Sequence, residues 1–230
     1  GVKSSYSEHG ANLWISAPGG EFCNTHTITT TDRTGGIDGY NTTATAGVTN
    51  YADTNYSKCF NGTSAATPGA AGVIALVLEA NPNLGWRDVR QILAQSARKN
   101  DPADAGWTTG ATTPAYNFNH KYGFGVIDAA AAVTLASTWT NVGAEVTSTT
   151  LTSSPFSAIP DNNPTGVSNT INVGASGIAN IEFIEITFSA TDHTYFGDLD
   201  ITLTSPAGTV SQLAEAHNCS GGCSGASNSY

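Results

Sequence analysis

Beyond Lys121 this chain of 230 residues carries no Lys or Arg. Nine acids remain there: Asp128, Glu145, Asp161, Glu182, Glu185, Asp192, Asp198, Asp200 and Glu215. The formal net charge is −10. Gripping a polyphosphate backbone takes Lys and Arg, so this shortage argues against nucleic acid as a partner. An acidic surface serves solubility first and attraction of cationic substrates second. Charge of either sign is scarce, at 11% of residues, while hydrophobic residues reach 39%. Gly, Ser, Thr and Asn are plentiful. That mix describes a folded, loop-rich, extracellular protein, not a disordered one. No uninterrupted apolar run approaches the roughly 18 residues that span a membrane, so no membrane span is expected. Gly1-Val2-Lys3-Ser4 leads into no apolar stretch of the signal-peptide kind. The chain is therefore expected to be a mature protein or a fragment.

Cysteine is sparse too: Cys23, Cys59, Cys219 and Cys223. An even count in a secreted chain suggests two disulfides, Cys23–Cys59 and Cys219–Cys223. Each pair lies within its own half of the sequence, in keeping with two domains. Cys219-x3-Cys223 could instead offer zinc ligands, but His217 is the only nearby helper. The sequence alone leaves the connectivity open.

The length suits one large domain or two smaller ones, with a substantial core. Residues 1–60 are rich in turns, with short strand-like patches at Leu13-Trp14-Ile15 and Thr27-Ile28-Thr29. A polar loop runs from Asp32 to Lys58, and a loop of that length is functional or tied down. Residues 65–80 are small and apolar on every face, which predicts a helix buried inside a domain. Asn81-Pro82 stops it. Trp86, Val89, Ile92, Leu93 and Ala97 recur at helical spacing, predicting a second helix over 85–98 with Asp88 in its first turn. A third is expected from Asp128, a good N-cap, to Leu135. Past about residue 144 the helix signal ends. Ile184, Ile186 and Phe188 alternate with polar neighbours, as do Leu199, Ile201 and Leu203. Ser205-Pro206-Ala207-Gly208 reads as a turn. This half is predicted to be all-β, as a sandwich.

Ser64 carries the chemistry. A serine hydroxyl is a weak nucleophile until a base and an oxyanion site activate it. Gly62 lets the chain adopt unusual dihedrals, and Ser64 then opens a helix whose first N–H groups lack intrahelical partners. Those amides and the helix dipole favour negative charge. Pro68 is expected near the first turn, where a missing N–H costs little. A bare Gly-x-Ser would read as an ordinary helix cap. The longer run Gly62-Thr63-Ser64-Ala65-Ala66-Thr67-Pro68 resembles the nucleophile motif of subtilisin-like serine proteases.

Further stretches extend the resemblance to the kexin and furin branch of that family. They are Tyr6-Ser7-Glu8 with Ala17-Pro18-Gly19, Ile74 to Val89, Tyr122-Gly123-Phe124-Gly125-Val126-Ile127-Asp128-Ala129, and Gly197 to Thr209. They stand in family order. The resemblance implies the C-terminal portion of an α/β subtilisin-like domain over 1–138. An all-β, jelly-roll-like P domain, truncated, follows over 144–230. It implies secretion, peptide or protein substrates cleaved after basic residues, a propeptide or chaperone as partner, and structural calcium. Glu8 matches the family's Tyr-Ser-Glu carboxylate near the substrate pocket; one carboxylate alone makes no calcium site.

The departures are informative. The family orders its triad Asp, His, Ser. His9 precedes Asp32, and both sit in the run-up to the serine, so both are read as decoys. The base, the acid and the oxyanion Asn are expected from a missing N-terminal part of the domain, and Asn61 is read as structural. His26 and His120 are read as structural, His193 as remote from the nucleophile and His217 as a loop residue. The isolated chain is then expected to be inactive. A sedolisin-like acid peptidase, which also uses Gly-Thr-Ser, and a non-catalytic binding module are the competing readings.

Overall fold

The computed structural model describes residues 1–23, 27–110, 114–174, 176–178, 180–190, 193, 196–216 and 227–229. The chain divides into two compact units, Gly1–Val142 and Gly143–Tyr230.

Three helices organise the first unit. Helix α1 spans Thr63–Ala80, α2 Trp86–Ser96 and α3 Ala129–Ser137. The amphipathic spacing of α2 turns Val89, Ile92 and Leu93 inward. They meet Val77 of α1, Leu84, and Ala132 and Ala136 of α3 in one buried cluster. Trp86 departs from the predicted apolar face: it is 62% exposed, and the Arg90 guanidinium lies 5.8 Å from its ring. Helix α2 also ends earlier than its spacing predicts. Ala97 turns extended, and Arg98 exchanges backbone hydrogen bonds with Val126. Asp128 caps α3 as expected, accepting the Ala131 amide at 3.0 Å.

Helix α1 needs two corrections. Its composition predicts burial all round, yet only Ala65 and Val77 are buried. Leu76 is 48% exposed and Leu78 38%. Its later turns pack on α3, and the described residues leave the rest uncovered. The expectation that nothing is apolar enough to span a membrane also fails on length and composition. The 18 residues of α1 reach a mean hydropathy of 1.3. The helix averages out the Thr, Ser, Pro and Gly positions that break the apolar run.

Strand β1, Ile28–Thr31, pairs antiparallel with β2, Tyr56–Phe60. The long polar loop closes this hairpin. A Cys23–Cys59 disulfide ties β2 to the chain ahead of β1. Strand β3, Thr108–Thr109, pairs with β4, Asn117–Phe118. Leu13-Trp14-Ile15 forms no regular strand. It lies beside residues 122–127 instead: the Phe124 amide donates to the Trp14 carbonyl at 2.8 Å, and the Ser16 amide to Gly125 at 2.8 Å.

In the second unit β6, Ile201–Thr204, and β7, Val210–Ala214, form a hairpin through the expected Ser205–Gly208 turn. Ile201 and Leu203 occupy the better-buried alternate positions of β6. Strand β5, Thr187–Ser189, pairs with β8, Ser227–Ser229. It is shorter than the alternation from Ile184 predicts, and Ile184 is 50% exposed. Among the described residues the strands pair in twos. Cys219, Cys223, His217 and His26 lie outside the described residues.

Candidate active site

Ser64 is the second residue of α1 and is exposed. Gly62 precedes the helix at φ 84°, a left-handed backbone that a side chain would strain. Its carbonyl accepts the amides of Ala65 and Ala66 at 3.0 and 3.3 Å. Neither the amide nor the hydroxyl of Ser64 has a partner among the described residues. An unpaired N–H beside an unpaired hydroxyl at a helix start is what an incoming carbonyl requires. Pro68 falls deeper than expected, as the sixth helical residue. Its missing N–H therefore leaves the Ser64 carbonyl without its usual helical donor.

The turn before Ser64 is held by the motifs expected to surround it. The Gly62 amide donates to the Gly19 carbonyl at 2.8 Å. A Cβ on Gly19 would sit 2.7 Å from Tyr6 Oη and 3.0 Å from the Gly62 carbonyl oxygen, so only glycine fits. The Tyr6 hydroxyl donates to the Gly20 carbonyl, and Asn61 Nδ2 to the carbonyl of Glu21. Asn61 is thus spent on the backbone. The disulfide brings Cys23 to Cys59, five residues before the serine.

Glu8 is exposed, and among the described residues no three His, Cys, Asp or Glu side chains group as metal ligands. His9 is exposed. The His120 ring packs edge-on against Phe118, and its carbonyl accepts the Gly10 amide at 2.9 Å. His193 Nε2 is buried in the second unit with no hydrogen-bond partner among the described residues. Asp32 accepts the amides of Arg33, Tyr40 and Asn41, the Asn41 amide foremost, and these hold its carboxyl below its ordinary pKa. It is a loop clasp.

Three anchors were not legible as such in the sequence. Asp88, 3% exposed, accepts from the Gly85 amide, the Trp139 indole, Asn141 Nδ2 and the Val142 amide at 2.7–3.1 Å. Burial pushes its pKa up, but those donors outweigh it and the net shift is downward. Asp104 accepts from Lys121 Nζ at 2.7 Å, Asn119 Nδ2 at 3.0 Å and the Gly106 amide at 2.9 Å. Lys121 foremost, with these amides, holds its pKa down at about 2. Fully buried Asn41 organises the long loop. The only sequence signal for any of these was Asp88 in a first helical turn.

Residues 1–125 match the subtilase family. The chain belongs to that family. Residues 181–224 match the proprotein convertase P-domain. A PC3-like endoprotease of Hydra vulgaris is 39% identical over 69% of this chain and 23% of its own length. A calcium-dependent protease of Trichormus variabilis is 36% identical over 90% of this chain and 29% of its own. The Aeromonas extracellular serine protease of Aeromonas sobria is 34% identical over 95% and 39%. The crystal structure of the Aeromonas sobria serine protease with its chaperone superposes with a TM-score of 0.67 at 29% identity, covering 93% of this chain and 40% of that one. The chain thus spans about a fifth to two fifths of these relatives' lengths.

Proposed function

We propose that this chain is the serine-bearing portion of a secreted, kexin-like serine endopeptidase. Residues 1–138 would form the C-terminal portion of its peptidase domain, and 144–230 part of a jelly-roll-like P domain. The observation that carries the reading is Ser64 itself, exposed at the start of α1 with amide and hydroxyl both unpaired among the described residues. Ser64 Oγ attacks the scissile carbonyl carbon, and its proton passes to a histidine oriented by an aspartate. The carbonyl oxygen takes the negative charge and receives the Ser64 N–H. Collapse of the adduct expels the amine, which takes the proton from the histidine; water then releases the acyl group. Histidine, aspartate and the second oxyanion donor come from outside these 230 residues. The uncovered side of α1 supports this, because so apolar a helix needs a cover.

Cleavage after basic residues rests on the resemblance of the motifs to kexin and furin, which the proprotein convertase P-domain match supports. Glu8 supplies one carboxylate of a structural calcium site whose other ligands lie elsewhere; the calcium-dependent relative supports calcium. Secretion is supported by the extracellular relative, and a propeptide or chaperone partner by the Aeromonas sobria complex. Cys219–Cys223 is proposed as a second disulfide. Hydrolysis of a dibasic peptide by the protease containing this chain tests the reading. Ser64→Ala should lower kcat about 10⁶-fold with KM little changed. Retention of activity within tenfold would refute it.

A further inference from the structure

Asn61-Gly62 is the sole Asn-Gly pair in the 230 residues, and its Asn stands three residues before Ser64. Glycine has no side chain to hinder its amide nitrogen, so this pair is the one in the chain most open to ring closure. We propose that Asn61 is a deamidation site, held shut by the clasp around it and opened when the Cys23–Cys59 disulfide is reduced. The reaction needs only water. The Gly62 nitrogen bonds to Asn61 Cγ, the Cγ–Nδ2 bond breaks, and ammonia leaves with the Gly62 proton. Water then opens the succinimide at either carbonyl. One opening gives aspartate. The other gives isoaspartate, whose backbone is longer by a methylene.

Both reacting groups are engaged in the fold. The Gly62 amide donates to the Gly19 carbonyl at 2.8 Å, so the attacking nitrogen must give up that bond before it loses its proton. Asn61 Nδ2 donates to the Glu21 carbonyl, which ties down the leaving nitrogen. Both acceptors lie on one short segment, 19–21, and that segment is fastened on either side. The Tyr6 hydroxyl donates to the Gly20 carbonyl, and the Ser5 amide donates to Glu21 Oε1 at 2.7 Å. Two residues on, Cys23 is bonded to Cys59. The disulfide is the covalent fastening among these. Cys59 is 7% exposed but Cys23 is only half-buried, which leaves one sulfur for a thiolate to attack. A dithiol supplies two electrons and two protons and leaves two cysteine thiols. Hydrogen bonds alone then hold the segment, and local opening frees the pair. The change does not reverse. Aspartate at 61 would set an acceptor against the Glu21 carbonyl where a donor stood, so the clasp cannot re-form. Isoaspartate lengthens the chain just ahead of Gly62 and shifts the Ser64 turn.

The test is mass-spectrometric peptide mapping of the protease that contains this chain, incubated at mildly alkaline pH. Ser64→Ala is the background, so that self-digestion does not intervene. One sample keeps its disulfides; the other is reduced with dithiothreitol and alkylated, with far-ultraviolet circular dichroism to show that it stays folded. Aspartate and isoaspartate at 61 should accumulate at least about tenfold faster after reduction. Asn83, exposed and followed by Leu84, should convert at an unchanged rate. Tyr6→Phe, with the disulfide intact, should speed conversion of Asn61 about two- to tenfold, the worth of one hydrogen bond. Equal rates before and after reduction would overturn the proposal. So would conversion of the intact protein as fast as its urea-unfolded chain. Should reduction unfold the protein, Tyr6→Phe decides, and an unchanged rate there overturns it. The mass readout does not depend on catalysis, so the site and the peptidase reading can fail separately.

Discussion

Ser64 is positioned by backbone: Gly62 at φ 84° makes the turn, Gly19 lets the chains touch, and the Ser64 amide is left without a partner among the described residues. Gly62 sits at φ 84° and ψ −178°, a region that is essentially glycine-only, so Gly62→Ala should cost about 1–3 kcal/mol. It should lower the urea-unfolding free energy by that amount and, in the complete protease, lower kcat more than it raises KM. Asp104 poses a different question. Its folded pKa of about 2 lies below the ordinary 3.8. The stability it contributes is therefore full above about pH 4 and lost as pH falls towards 2. A carboxyl ¹³C titration should show Asp104 as an outlier at about 2, and Lys121→Met should bring it back towards 3.8. The serine was legible because its turn is local in sequence. Asp104 was not, because Lys121 lies 17 residues on and no periodicity marks the pair. Nor was Asn41, whose acceptors are backbone carbonyls that any residue could carry.

The elements divide by length. Helices of 9–18 residues were legible from apolar spacing and caps, their ends within a few residues. Among the short strands, β6 and parts of β1 and β5 were legible from alternation, whereas β3 and β4, of two residues each, carry too few alternations to be read, and Leu13-Trp14-Ile15 makes its contacts through isolated backbone bonds. The surroundings of α1 were misjudged because hydropathy records what a helix can bury, not what this chain supplies to cover it. Asp88 shows how the elements are fastened. It closes the start of α2 and holds the segment after α3, reaching donors 51–54 residues away. Asp88→Ala leaves the Trp139 indole and the Val142 amide without their acceptor. The loss should be about 3 kcal/mol in urea unfolding. The lowered pKa of Asp88 means that its contribution is present above the ordinary carboxylate pKa and fades on acidification, so the gap between parent and variant should narrow at low pH. A gap that widened on acidification would contradict this.

Across the whole molecule, family membership covers more than the site does. The subtilase match covers 1–125 and the P-domain match 181–224. Ser64, its turn and its helix are all here; a base bonded to Ser64 is absent from the described residues. On the proposed function, Ser64 is a nucleophile that needs groups from elsewhere. Mass-spectrometric mapping of a fluorophosphonate label tests it most directly, on the 230-residue chain alone and on the protease that contains it. The account predicts one adduct, on Ser64, in the complete protease and none in the isolated chain. Labelling of the isolated chain at Ser64, or of the complete protease at another serine, would contradict it.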